Sequence, residues 1–412
     1  MDSLNNMHVL IIHQAFASLD EPGGTRHYEF AQLLASRGHK VTVIASPVSY
    51  ITGTPLHLPP SSPKMGGERE GGGVKILRAR VYSAHHKSFF HRIIAFFSFM
   101  VSSFLIGLKV KHVDLVWGTS PPIFQGVTAW ALARLKGAKF LFEVRDLWPE
   151  FAIAVGVLKN PVLIHATEWL ERFLYRNADQ VMVNSPGFLA PVTGRGAKRV
   201  ELIPNGADPS MFNPDDDGTE FRLAHQLGDK FVAMYAGAHG MSNDLGVILE
   251  TASRLADIPE IQIVLVGDGK EKPALQAQAE KLNLKNVTFL PSVPKSDMAK
   301  TLAGAHVCIA ILKPLEEYKT TYPNKVFDYM AAARPVILAI DGVIREVVEN
   351  ANCGRFSRPG DAEMLAEMIR FFYANRDRGR RMGLAGRDYL EKNFSRTAIS
   401  EKLVGLLESL IK

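Results

Sequence analysis

Cysteine is almost absent from the 412 residues: Cys308 and Cys353 stand alone, without a Cys-x-x-Cys spacing and without histidines gathered around them. That excludes a disulfide framework and a zinc site of ordinary spacing, and it makes a reducing cytoplasm the expected compartment. The amino terminus lacks a basic stretch ahead of its first apolar run and carries Asp2 instead, so no export signal is expected. A bilayer span needs about 20 apolar residues, and the uncharged run 93–108 has sixteen. The first strand-to-helix turn, His13 to Gly24, lacks a Gly-x-Gly-x-x-Gly pattern, and Ile44-Ala45-Ser46-Pro47 lacks a ribose-binding acid, which weakens any nicotinamide-dinucleotide reading. The acidic triplet Asp215-Asp216-Asp217 falls in a polar linker rather than at a strand end, so it reads as a solvated cap and not a metal site.

With 47% apolar and 22% charged residues, most of the chain must fold, and its length suits two α/β domains. The net charge of +6 is uneven: residues 1–205 hold about 22 basic against 14 acidic residues, the remainder about 26 against 28. A basic half suits nucleic acid, anionic lipid, a phosphate-bearing substrate or mere solubility.

Residues 7–12 and 40–45 are β-branched runs flanking a helical pattern from Thr25 to Arg37, with Gly38 where a C-cap is expected. Further strands are expected at 74–79, 113–117, 138–143, 179–183 and 200–203, with helices at 124–136 and 161–177. The rhythm restarts after Asn205-Gly206, with strands at 231–236, 261–266, 286–290, 306–311 and 335–339. The alternation predicts two parallel sheets, each covered on both faces. Segment 53–73, rich in Gly, Pro and Ser, reads as a loop: a plain surface loop, or a lid over the site. Segment 93–108, flanked by Lys87, Arg92, Lys109 and Lys111, reads as a core helix or as one lying at a membrane surface. Phenylalanines at 89, 90, 96, 97, 99 and 104 exceed one core stripe and favour the surface.

The most informative string is Tyr322-Pro323-Asn324-Lys325-Val326-Phe327-Asp328-Tyr329-Met330-Ala331-Ala332-Ala333-Arg334-Pro335-Val336. A helix over 325–333 opening at Pro323-Asn324 would aim free N–H groups and Lys325 at a diphosphate, with Asp328 one turn on, able to accept two ribose hydroxyls. This string resembles the second-domain signature of the retaining GT-B glycosyltransferases of family 4. Further landmarks match in order: Asp20 to Gly24, Arg37 to Val43, Ile203 to Asp208, and Val266-Gly267-Asp268-Gly269.

The resemblance implies two Rossmann-like parallel-sheet domains facing a central cleft. Residues 1–205, with helix 396–412 packing back, would hold the acceptor, and 206–395 the nucleotide sugar. It implies a hexosyl or N-acetylaminosugar transferase using a nucleotide-diphosphate donor, expected to be UDP-linked, with no cofactor and no metal. The acceptor would be a polyprenyl-diphosphate-linked saccharide of an O-antigen or exopolysaccharide. The enzyme would be cytoplasmic, held peripherally at the inner membrane face through 89–112, with no nucleic-acid partner. By position, Gly23 and Gly24 would let backbone approach the donor phosphate; Gly240, Gly267 and Asp268 would lie against the nucleotide; Val293 would read the base; Asn324 and Asp328 would hold phosphate and ribose. Arg145, Asp146, Lys325 and His239 are the expected catalytic set, Arg145 standing where many relatives have histidine. The usual Arg and Lys after the strand at 231–236 are missing, leaving His239 and Lys325 to replace them. The first of the family's two acids eight apart falls on Thr320, with Glu316 and Glu317 out of register. That favours front-face retention over a carboxylate nucleophile. A sugar epimerase of the same fold and a non-catalytic nucleotide-sugar binder remain as alternatives.

Overall fold

The computed structural model describes residues 6–21, 23–48, 68–71, 73–82 and 89–412. The chain divides into two units, one comprising Met1–Ser18, Gly23–Ile203 and Ser400–Lys412, the other Leu19–Pro22 and Pro204–Ile399.

In the first unit, strands β1 (His8–Ile12), β2 (Lys40–Ala45), β3 (Glu68–Gly71), β4 (Val74–Arg78), β5 (Leu115–Ser120), β6 (Lys139–Val144), β7 (Gln180–Val183) and β8 (Val200–Leu202) form one sheet. Their order is β3-β4-β2-β1-β5-β6-β7-β8, with every pairing parallel except that of β3. The inner strands are mostly apolar and buried because both faces are covered; all five residues of β1 and all six of β5 are buried. Helices α1 (Arg26–Ser36), α2 (Phe89–Lys109), α3 (Phe124–Lys136), α4 (Glu150–Ala154), α5 (Pro161–Asn177) and α6 (Leu189–Gly194) connect them. Gly38 ends α1 at φ +87, where a side chain would be strained, and His39 N donates to Leu34 O at 3.1 Å.

One expectation needs correction here and another is extended. The segment read as a loop contains β3 at 68–71, an edge strand of polar residues that carries no apolar alternation to reveal it; 53–67 and 72 lie outside the described residues. The uncharged segment is part of a longer helix of 21 residues. Ala95, Phe99 and Ser103 of α2 are buried, and a Cβ on Gly107 would come within 2.4 Å of Leu132 on α3, so one face of α2 belongs to the core. Among the described residues no helix is long and apolar enough to cross a membrane.

The second unit repeats the plan with β9 (Phe231–Ala236), β10 (Ile261–Val266), β11 (Val287–Leu290), β12 (Val307–Ile311), β13 (Val336–Ala339) and β14 (Gly354–Phe356), all parallel, in the order β11-β10-β9-β12-β13-β14. Its helices are α7 (Thr219–Ala224), α8 (Leu245–Arg254), α9 (Lys272–Lys281), α10 (Met298–Ala303), α11 (Asn324–Ala331), α12 (Val343–Asn350), α13 (Ala362–Ala374) and α14 (Arg376–Asn393); a last helix, α15, runs from Arg396 to Ile411. The key helix α11 stops two residues earlier than its sequence suggests because Ala333 adopts a left-handed φ of +53. That conformation strains a residue with a Cβ. Arg387 of α14 then caps the helix, donating to Ala331 O at 2.6 Å.

Candidate active site

In the second unit the expected residues gather at the carboxyl ends of β9 and β10 and at the start of α11. Tyr329 of α11 fixes the helix to β9: its hydroxyl accepts from Ala236 N at 3.0 Å. Just beyond the strands, Gly267 and Gly269 are required by packing of backbone on backbone, and Gly237 by the side chains of Lys325 and Tyr235 that close over it. A Cβ on Gly267 would lie 1.9 Å from Gly237 O, one on Gly269 2.4 Å from His239 O, and one on Gly237 3.0 Å from Lys325 Nζ. Gly240 is less confined, with only Asn243 Nδ2 at 3.7 Å.

Lys325, on the first turn of α11, donates from Nζ to Tyr235 Oη (2.7 Å) and Asn243 Oδ1 (3.2 Å), and sits 4.0 Å from the centre of the Tyr235 ring. Among the described residues no carboxylate pairs with it. Burial pushes its ammonium pKa down to about 7. A desolvated, unpaired cation beside a helix N-terminus is poised for an anion.

His239 is fully buried, and neither ring nitrogen has a hydrogen-bond partner among the described residues. Burial, with Lys272 adding to it, pushes its pKa down to about 4, so the ring is neutral at pH 7. It supplies an N–H and no charge, which leaves Lys325 as the cation of the expected pair. Asp268 is engaged structurally: Lys272 Nζ donates to Oδ1 at 2.9 Å and Ser292 N to Oδ2 at 2.8 Å. Lys272 also donates to Gly267 O and Leu290 O, tying β10 to β11. Val293 is half-buried against the core, and Asn324 is exposed at the head of α11.

Asp328 has a partner that sequence reasoning missed. Lys295 Nζ donates to its Oδ1 at 2.5 Å and lies 5.4 Å from the Phe212 ring centre. Lys295 follows the Pro291–Pro294 loop directly, which was the available signal. Thr320, at the place of the missing acid, turns inward within a single helical turn and donates to Glu317 O at 2.6 Å, while Glu316 pairs with Lys319 at 2.8 Å.

In the first unit Arg145 and Asp146 follow β6. The Arg145 guanidinium is docked on the end of β5, Nε donating to Ser120 O (3.0 Å) and Nη2 to Pro121 O (3.1 Å), so it is a fixed cation. Burial pushes the Asp146 carboxyl up to about 6, against the pull of Arg145. Gly23 and Gly24 are exposed; a Cβ on Gly23 would touch Ala17 Cβ at 3.0 Å, whereas one on Gly24 would meet nothing within 4 Å.

Beneath these residues lies a buried polar cluster that the sequence did not announce as one. Glu143 accepts from Arg26 Nε (3.0 Å) and Trp117 Nε1 (3.2 Å) and from His27, whose ring stacks on His13 at 4.1 Å between centres. Its only sequence signal is one acid inside the apolar run Lys139–Val144.

Residues 230–375 match the family described as glycosyl transferases group 1, and residues 23–206 match the glycosyl transferase 4-like domain. The chain is a GT-B glycosyltransferase. It is 25% identical over 323 residues to the putative colanic acid biosynthesis glycosyl transferase WcaI of Escherichia coli, covering 76% of this chain and 78% of that protein. In fold it is similar to sucrose-phosphate synthase of Thermosynechococcus elongatus, with a TM-score of 0.79 at 20% identity over 98% of this chain and 99% of that one. It is also similar to Anabaena HepE in complex with UDP-glucose, with a TM-score of 0.71 at 15% identity over 98% of this chain and all of that one.

Proposed function

We propose that this glycosyltransferase moves a sugar, with retention, from a UDP-sugar to a saccharide carried on a polyprenyl diphosphate at the inner face of the membrane, in surface-polysaccharide biosynthesis. The observation that carries the donor half is Lys325, an unpaired, desolvated cation at the head of α11. The UDP-glucose held by HepE supports the choice of nucleotide, and the colanic acid role printed for WcaI supports the class of product.

In this reading Lys325 and the first turn of α11 neutralise the departing diphosphate, and the neutral His239 ring adds an N–H donor. Asp328 holds the ribose, Gly240, Gly267 and Asp268 lie against the nucleotide, and Val293 lies against the base. Arg145 supplies a second fixed cation, Gly23 and Gly24 let backbone approach the donor phosphate, and Asp146 orients the acceptor hydroxyl. With Thr320 at the place of the family's first acid, the reading takes front-face retention: the leaving phosphate oxygen accepts the acceptor's proton on the face from which it departs. The charge stabilisation is assigned to these side chains, with no metal invoked.

Incubation with UDP-sugars and a lipid-linked saccharide, followed by NMR of the product, tests the reading: an α-linked product from an α-linked donor is expected. An inverted linkage would remove retention, and a free C2 epimer formed without acceptor would replace transfer by epimerisation.

Asp146 gives a second test. With a pKa of about 6 in the free enzyme, its acceptor-orienting carboxylate is lost below that pH, so kcat/KM should fall about tenfold per pH unit on the acid side. In Asp146→Asn the acid limb should vanish along with most of the activity; an unchanged profile would remove Asp146 from the site.

A further inference from the structure

Helices α2, α3 and α5 lie side by side in the first unit, α2 packed on α3 and α3 on α5. Of the thirteen large apolar side chains exposed among the described residues, eight are on these three helices. On α2 they are Phe97, Val101, Leu105 and Leu108, spaced four, four and three apart and therefore on one face, opposite the buried Ala95, Phe99 and Ser103. Leu135 continues the patch on α3, and Val162, Leu163 and Trp169 on α5. Val101, Leu105, Leu135, Val162 and Trp169 are each more than half exposed. Aromatic contacts link the helices, Phe97 of α2 to Phe124 of α3 at 5.1 Å and Trp130 of α3 to Phe173 of α5 at 4.8 Å, and within α5 Phe173 stacks on Trp169 at 5.4 Å. A helix apolar on its outer as well as its inner face has an unfilled requirement for an apolar partner.

Charge identifies the occupant. Residues 73–142 hold ten basic residues and one acid, Asp114, whose carboxylate is engaged by His8 N at 2.7 Å. Lys109, Lys111 and Arg134 are exposed at the carboxyl ends of α2 and α3. Two copies meeting through this face would bring these cations together, whereas anionic headgroups would neutralise them.

We propose that the outer face of α2, α3 and α5 docks on an anionic lipid bilayer, with Phe97, Leu105, Leu135 and Trp169 entering the acyl boundary and Lys109, Lys111 and Arg134 meeting headgroup phosphates. The proposal rests on the membrane-proximal reading above and deepens it. The footprint is a three-helix layer reaching to Trp169, and α2 lies in the interface rather than across it.

Co-sedimentation of the full chain with vesicles of phosphatidylcholine, alone or mixed with phosphatidylglycerol, tests it without donor or acceptor, so failure here leaves sugar transfer standing. The expected result is binding to the mixed vesicles and little to phosphatidylcholine alone. Lys109→Gln with Lys111→Gln should weaken binding about thirtyfold, at about 1 kcal/mol per basic residue. Leu105→Asp should abolish it, with an unchanged melting curve showing that the fold is kept; Trp169→Ala serves as the second apolar variant should Leu105→Asp unfold. Absence of binding, equal binding to both vesicles, or full binding by these variants would each overturn the proposal. So would a dimer that Leu105→Asp disperses in a protein that ignores vesicles, because the occupant would then be a second copy.

Discussion

Lys325→Met should lower kcat/KM for a UDP-sugar about 10²–10³-fold while raising the melting temperature at neutral pH. The two effects share one cause. Burial holds the ammonium at a pKa of about 7 in the folded chain, against about 10.4 in an unfolded one. Between those values the unfolded chain binds the extra proton, so the wild-type penalty is full below about pH 7 and gone above about pH 10. Removing the amine removes the penalty, and the stability gap between wild type and Lys325→Met should close as pH rises. A diphosphate beside Nζ favours the charged form, so donor binding should take up a proton: about half of one at pH 7 and nearly a whole one a pH unit higher. Calorimetry in two buffers of different ionisation enthalpy reads this directly. Asp328→Ala should erase the preference for a ribose over a 2′-deoxyribose donor, and Lys295, which now holds that carboxylate, should lose its partner. Undiminished turnover in both variants, or donor binding without proton uptake, would sink the assignment.

What the sequence revealed and what it hid divide along physical lines. The parallel strands were legible because both faces are buried and the runs are uninterrupted: 231–236 and 261–266 are strands over the stretches read. Helix 161–177 was legible through its start, where Asn160 accepts from Val162 N at 2.9 Å and Pro161 sets the first turn. Two of the four edge strands were not: β3 is polar and β14 is a three-residue strand opening on glycine, and neither offers a period to count, whereas the edge strands β8 and β11 were read at 200–203 and 286–290. Within the candidate site, Lys325, Asp328 and the glycines announce themselves by their place on a strand-turn-helix frame. Their partners do not. That Lys295 holds Asp328, or that His239 is neutral, follows from contacts between segments far apart in the chain, and composition carries no trace of them.

The buried cluster around Glu143 supplies the largest expected effect on stability. Glu143 is fully buried, Arg26 is 4% exposed, and besides the carboxylate Arg26 reaches Ile203 O at 2.6 Å. Glu143→Gln preserves shape but removes the buried negative charge that faces the Arg26 guanidinium, and should cost about 3–5 kcal/mol. Exchanging both partners for leucine should cost less than this single change, because no uncompensated charge then remains. Burial alone would push the Glu143 carboxyl up, but His27 and Arg26 overcome it and hold it well below the usual range. A depressed carboxylate stabilises the fold above its unfolded pKa of about 4.3, and that stability is lost as pH falls below it. His13 adds an earlier step of the same sign. Burial, helped by His27 and Arg145, holds its ring neutral, so the unfolded chain alone gains a proton once pH drops below about 6.5. Acidification should therefore lower the melting temperature in two stages. His13→Gln should shrink the first, to which the neutral rings of His27, His239 and His306 also contribute, and Glu143→Gln should shrink the second; a pH profile of stability unaffected by either would show that the cluster does not govern acid stability.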